Sequence, residues 1–170
     1  MAVKSLIETV TVGAGGVASI EFTAIPQDGS DLVCVTSLRS DRASQTVDGT
    51  NIEVNGTAAN RSEIFLSASF TGSVSSGTDT KLSSGLANAT LSTSNTFSNA
   101  SVYISNYSGS TAKSFSSDGV LENNDTAAFS KMTAGLWNDT SAITSLKIVS
   151  SNSATLLQYS TASLYKIKYD

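Results

Sequence analysis

Residues 10–22 read VTVGAGGVASIEF, and how this stretch folds decides the architecture of the chain. Gly13, Gly15 and Ala18 match the G-x-G-x-x-G/A spacing of a dinucleotide-binding turn. Such a turn must run from a strand into a helix, whose N-terminus holds the pyrophosphate. The strand is present: in KSLIETVTV, Leu6, Val10 and Val12 fall on one face. The helix is not. Ile20, Phe22 and Ala24 alternate with Ser19, Glu21 and Thr23, a period of two that belongs to a strand, and Pro26 ends it. The glycines therefore predict positive-φ positions in a β-hairpin joining two strands, and no nucleotide site.

The same grammar recurs downstream. DLVCVTSLR (31–39) is apolar on both faces at first, as a strand covered on both sides would be. After the loop SDRASQTVDGT, strands are predicted at NIEVNG, SEIFLSASF, ASVYISNY, AKSFSSDGVLEN, KMTAGLW, ITSLKIVS and STASLYKIKY. Turn signals SGST, NNDTAA, NDTS and SNSAT separate the later ones. Residues 71–96 are mostly Ser, Thr, Gly and Asn, with Leu82, Leu86 and Leu91 as sparse anchors, and read as a less regular segment with one short strand. About eight to ten short strands without crossover helices predict an all-β fold. We expect an antiparallel two-sheet sandwich, jelly-roll-like, as a single domain over residues 1–170.

Composition narrows the function. Charged residues are 14% of the chain, the net charge is −4, and the ten Lys and Arg are scattered. No basic patch is available for phosphates, so nucleic acid is not an expected partner. No apolar run approaches the length needed to span a bilayer, and MAVKSLIETV lacks the apolar region of an export signal. About three residues in ten are Ser or Thr, which suits solvent-facing strands and turns. The chain has no His and a single Cys, Cys34, in a strand-like apolar run. Ser/His/Asp and Cys/His catalysis and His-containing zinc sites are therefore impossible, and Cys34 reads as a buried, inert thiol. The acids fall mainly in turns, where they bond to backbone. No enzyme, catalytic residue, cofactor or metal site is expected; a structural calcium, without EF-hand spacing, would need the oxygen ligands of PQDGSD (26–31) or ENND (122–125) to converge.

Two groups of residues are candidates for recognition. Arg39, Asp41 and Arg42 lie together at a strand end, either as a contact patch or as an internal ion pair pinning a loop. Tyr103, Tyr107 and Tyr159 have rings that would stack on sugars, whereas Trp137, within the alternating KMTAGLW, is expected in the core.

Several segments together resemble a family of small structural proteins of tailed bacteriophages. They are VASIEFTAIPQDGSDLVCVTSLRSDRAS, SVYISNYSGSTAKSFSSDGVLENN, TAGLWNDTSAITSLKI and STASLYKIK. The matching positions are Phe22, Ile25 and Pro26; Arg39 and Arg42; Tyr103, Ile104, Asn106, Tyr107, Gly109, Ser110, Lys113 and Ser114; Ala134 to Trp137; and Leu164, Tyr165 and Ile167. The likeness weakens over residues 45–96, and Lys166 stands where the pattern often has Gly. The resemblance implies a virion structural protein and leaves its position on the particle open between capsid decoration and tail fibre. A chain with length for one module and no coiled-coil heptads or repeats suits a decoration (cement) protein better than a fibre. The expected reading is therefore a decoration protein of the capsid surface, made in the host cytoplasm, with the major capsid protein as partner. By analogy with other cement proteins it is expected to be trimeric. The alternative is a receptor- or glycan-binding module of a tail or head fibre, with Arg39, Asp41, Arg42, Tyr103 and Tyr107 as the contact residues.

Overall fold

The computed structural model describes residues 1–69, 72–122 and 128–169. Among them no helix occurs and twelve strands do. The strands flanking the first glycine cluster, β1 (Ala2–Thr11) and β2 (Ser19–Phe22), form as expected, but they do not pair. β1 pairs with β12 (Thr161–Tyr169), and β2 with β11 (Leu146–Ser150) in the other sheet. The hairpin is thus corrected: the glycines carry the chain from one layer to the other. Gly15 and Gly16 do take positive φ, 93° and 71°. Val17 exchanges backbone hydrogen bonds with Leu156, of 2.9 and 2.8 Å, which clamps this connection to the one before β12. A Cβ on Gly16 would lie 2.6 Å from Thr155 Cγ2 and 2.8 Å from the Leu156 carbonyl oxygen, so only glycine fits there.

The remaining strands are β3 (Asp31–Ser37), β4 (Val47–Val54), β5 (Arg61–Ala68), β6 (Val74–Asp79), β7 (Ser83–Asn88), β8 (Asn99–Ile104), β9 (Lys113–Glu122) and β10 (Ala128–Trp137). An eight-stranded sheet has the order β1-β12-β3-β8-β9-β10-β5-β6, and a four-stranded sheet the order β2-β11-β4-β7. Setting aside β5, β6, β9 and β10 leaves two four-stranded sheets, β1-β12-β3-β8 and β2-β11-β4-β7. The first strand pairs with the last, the second with the next to last, and so inward. That nested order is a jelly roll. The other two strand pairs, β5-β6 and β9-β10, are inserted between β4 and β7 and between β8 and β11. Both join the large sheet beyond β8 and make a wing that overhangs the small one.

The core lies between the layers. Ile20, Phe22, Ile52 and Ile148 from the small sheet meet Leu32, Cys34, Val102 and Leu164 from the large one, each buried. Burial pushes the Cys34 thiol up to about 12, as the inert reading requires. Residues 71–96 are more regular than their composition predicts, since they contain β6 and β7. All six residues of β7 are buried, so the strand carries no alternation for a sequence reading to find. It packs under β8 and β9, and Gly85, at φ 123°, sits where a Cβ would collide with that of Ala100.

Candidate functional site

The two sequence candidates lie at opposite ends of the roll, about 25 Å apart at the rise of an extended strand. At one end, the Arg39 guanidinium donates to the carbonyls of Ser92, Thr93 and Thr96 at 3.1, 2.7 and 3.0 Å. Burial lowers its pKa. Asp41 accepts the Thr155 N–H at 2.7 Å, and Arg42 donates to the Val47 carbonyl at 2.9 Å. Arg42 stands 3.9 Å from Asp48, so its acidic partner is Asp48 and Asp41 serves the backbone instead. These residues pin loops, as one reading anticipated, but through backbone groups more than an ion pair.

At the other end Tyr107 is fully buried. Its hydroxyl donates to the Pro26 carbonyl and accepts the Gly29 N–H at 3.2 Å. Its ring therefore has no face to offer a sugar, and as a glycan contact it is corrected to a core residue. Tyr103, half-buried on the outer face, donates its hydroxyl to Asp31, which also accepts the Asn106 N–H at 2.8 Å. Burial pushes the Asp31 carboxyl up, but the bonds from Tyr103 and Asn106 outweigh it and hold the carboxyl below its usual range. A depressed folded-state pKa stabilises the fold above the unfolded value, near 3.9, and the stabilisation is lost as pH falls through the folded value. Asp31→Asn is expected to cost about 1–2 kcal/mol at pH 7 in urea unfolding. Its deficit should shrink towards zero as the titration is carried below pH 3; a deficit independent of pH would contradict the ionised bond.

Other acids are likewise engaged. Asp28 meets Lys166 at 2.6 Å, Asp139 accepts the Ser141 N–H at 2.8 Å, and Lys147 lies 3.1 Å from Glu53. Residues 123–125 of ENND lie outside the described residues. Among the described residues no three His, Cys, Asp or Glu side chains come together to hold a metal.

The feature that sequence reading missed is the polarity of the wing. Along β5 and β10 it is turned inside out. Ile64, Leu66, Met132 and Leu136 face solvent, at 64, 50, 61 and 40% exposure. The opposite face carries Glu63, Lys131 and Phe65, with Glu63 buried. Strand register puts the exposed residues in rows: Val120, Ser130, Ala68 and Val74; Asp118, Met132, Leu66 and Ser76; Ser116, Ala134, Ile64 and Thr78. Asp118 is the one charged side chain in those rows.

The inner face explains how this arrangement is held. The Glu63 carboxylate accepts the Ser83 N–H at 2.6 Å and its hydroxyl at 2.7 Å, and meets Lys131 Nζ at 3.2 Å. Lys131 also donates to Ser83 Oγ at 2.6 Å and lies 4.6 Å from the Phe65 ring centroid. This cluster ties the wing to the start of β7. No family model matches the chain, and no curated protein matches it.

Proposed function

We propose that this chain is a bacteriophage virion structural protein that decorates the capsid, seating the outer face of its wing on the outside of the major capsid shell. The inside-out polarity of β5 and β10 carries the reading. Exposing aligned apolar side chains while burying an acid and half-burying a lysine opposes ordinary folding preference, and such faces on monomers are often functional. A nearly charge-free, Met-containing face fits the core of a protein interface rather than a nucleic acid or a charged substrate.

Size bears on the partner. Four strands about 4.8 Å apart and six residues of about 3.4 Å rise span on the order of 300–400 Å². A stable interface needs about 800 Å² per partner, so one copy would bind weakly. A shell offering many identical sites, met by a trimer of this chain, turns weak contacts into avidity of about 10²–10⁴. The resemblance of the chain to small virion proteins supports a structural role in the virion.

The test mixes the purified protein with undecorated capsids of a phage that encodes it and pellets the particles. Wild type should co-sediment at hundreds of copies. Ile64→Asp with Met132→Asp should weaken capture by about 100-fold or more, since two charges would be buried unpaired. Both side chains are exposed, so stability should change by less than about 1 kcal/mol. Equal capture of the variant, or wild type found only at the tail, would refute the proposal.

A further inference from the structure

We propose that the turn before β12 is a binding site for a neutral saccharide, with Tyr159 as its stacking platform. The inference stands apart from the capsid reading, because this turn lies at the β1-β12 edge of the large sheet and the wing forms the other edge.

Tyr159 is in a costly conformation for a tyrosine. Its φ is 71°, and the turn is closed by the Ser160 N–H on the Leu157 carbonyl at 3.1 Å. The third position of such a turn needs positive φ and is ordinarily glycine; a bulky side chain there is an outlier. The backbone is held in place by the Tyr159 N–H, which donates to the Val12 carbonyl at 2.9 Å. Nothing in this geometry needs a ring. Nor is the ring spent on packing: at 66% exposure it is the most exposed aromatic side chain among the described residues. Strain of this kind, held by its surroundings, gathers at binding sites.

What surrounds the ring selects the ligand. Tyr159 borders a hollow of about 400 Å³ lined also by Gly15, Gly16, Asn95, Phe97 and Gln158. The two glycines give bare backbone, and Phe97 offers a second apolar surface. The side-chain amides of Asn95 and Gln158 supply donors and acceptors together, which is what a sugar hydroxyl requires. Arg39 borders the hollow, but its guanidinium is engaged with the carbonyls of Ser92, Thr93 and Thr96. No carboxylate lines it. An aromatic face with neutral amides and no carboxylate fits the C–H face and hydroxyls of an uncharged pyranose, and Arg39, the one charged residue of the lining, directs its hydrogen bonds to backbone carbonyls.

The experiment titrates the ¹⁵N-labelled chain with the methyl glycosides of glucose, galactose, mannose and N-acetylglucosamine, and with N-acetylneuraminate as the charged control. Saturable amide shifts at Gly15, Gly16 and Tyr159, with a millimolar Kd for at least one neutral sugar, are expected. Tyr159→Phe should stay within about threefold of wild type, because the ring face is kept. Tyr159→Gly should lose at least about tenfold in affinity and yet melt about 2–4 °C higher, because glycine relieves the turn. No saturable shift with any neutral sugar, undiminished binding by Tyr159→Gly, or a lower melting point for it would overturn the proposal. Stronger binding of N-acetylneuraminate would overturn the neutral class. Capsid capture by Tyr159→Gly should match wild type, which separates this site from the wing.

Discussion

Replacing Lys113 by alanine is expected to lower the melting temperature by about 10 °C, from a loss of about 3–5 kcal/mol. Lys113 is among the largest fully buried side chains of the protein. Its ammonium donates to the carbonyls of Gly109, Thr111 and Thr140 at 2.7, 2.6 and 3.2 Å, so all three of its protons are matched. It also lies 5.7 Å from the centroid of the buried Trp137 ring. Burial pulls its pKa down, and Asp139 works in the opposite direction. Alanine removes the aliphatic stem from the core and leaves three carbonyls without their donor, two separate penalties. Lys113→Met separates them: it restores most of the volume and none of the donors, so its loss should be intermediate. A thermal melt of the three proteins checks this, and a methionine variant as stable as wild type would show that the ammonium contributes nothing.

Lys113 also shows what the sequence pattern meant. Five of the motif positions, Asn106, Tyr107, Gly109, Lys113 and Trp137, meet at one end of the roll. Asn106 takes φ 51° and bonds Thr111 Oγ1 at 2.8 Å; Tyr107 accepts the Ile143 N–H at 2.8 Å on its carbonyl. They lock the connections between strands. A recognisable pattern here marks a fold requirement, and Tyr107, taken for a contact, belongs to that lock.

The strands were legible because period two survives wherever one face is dry, as in Ile20 and Phe22. Pairing was not. A glycine-rich turn between two strands looks the same whether the chain returns to its neighbour or crosses to the other layer, and the choice is made by β12 and β11, more than 120 residues away. The wing was hidden for a different reason. In KMTAGLW Trp137 is buried as expected, but its face also turns Lys131, Thr133 and Gly135 inward, while the apolar set Met132, Ala134 and Leu136 faces out. Only the position of β7 beneath the sheet reveals that reversal. The strain at Tyr159 left no trace in composition or spacing, because a tyrosine, unlike the glycines at 15 and 16, carries no signal of positive φ.

Glu63→Ala is expected to destabilise by about 3–5 kcal/mol, because it strands Lys131 and the Ser83 N–H beneath the wing. The double replacement Glu63→Leu with Lys131→Met should recover to within about 1–2 kcal/mol of wild type, since a buried pair exchanged for apolar groups is often neutral. Urea unfolding of Glu63→Leu, Lys131→Met and the double variant gives the coupling energy, and additive losses would refute the pairing. If stability alone were at stake, the apolar pair would serve as well. The ion pair supplies a face. A one-residue slip of β5 would send Ile64 and Leu66 inward and Glu63 and Phe65 outward, exchanging one apolar set for another while freeing the carboxylate. The carboxylate's bonds to Ser83 and Lys131 oppose that slip and keep the apolar rows outward. The double variant should therefore fold stably but lose a unique register, seen as doubled amide resonances for β5 and β6, and its capsid capture should fall with the fraction that has slipped.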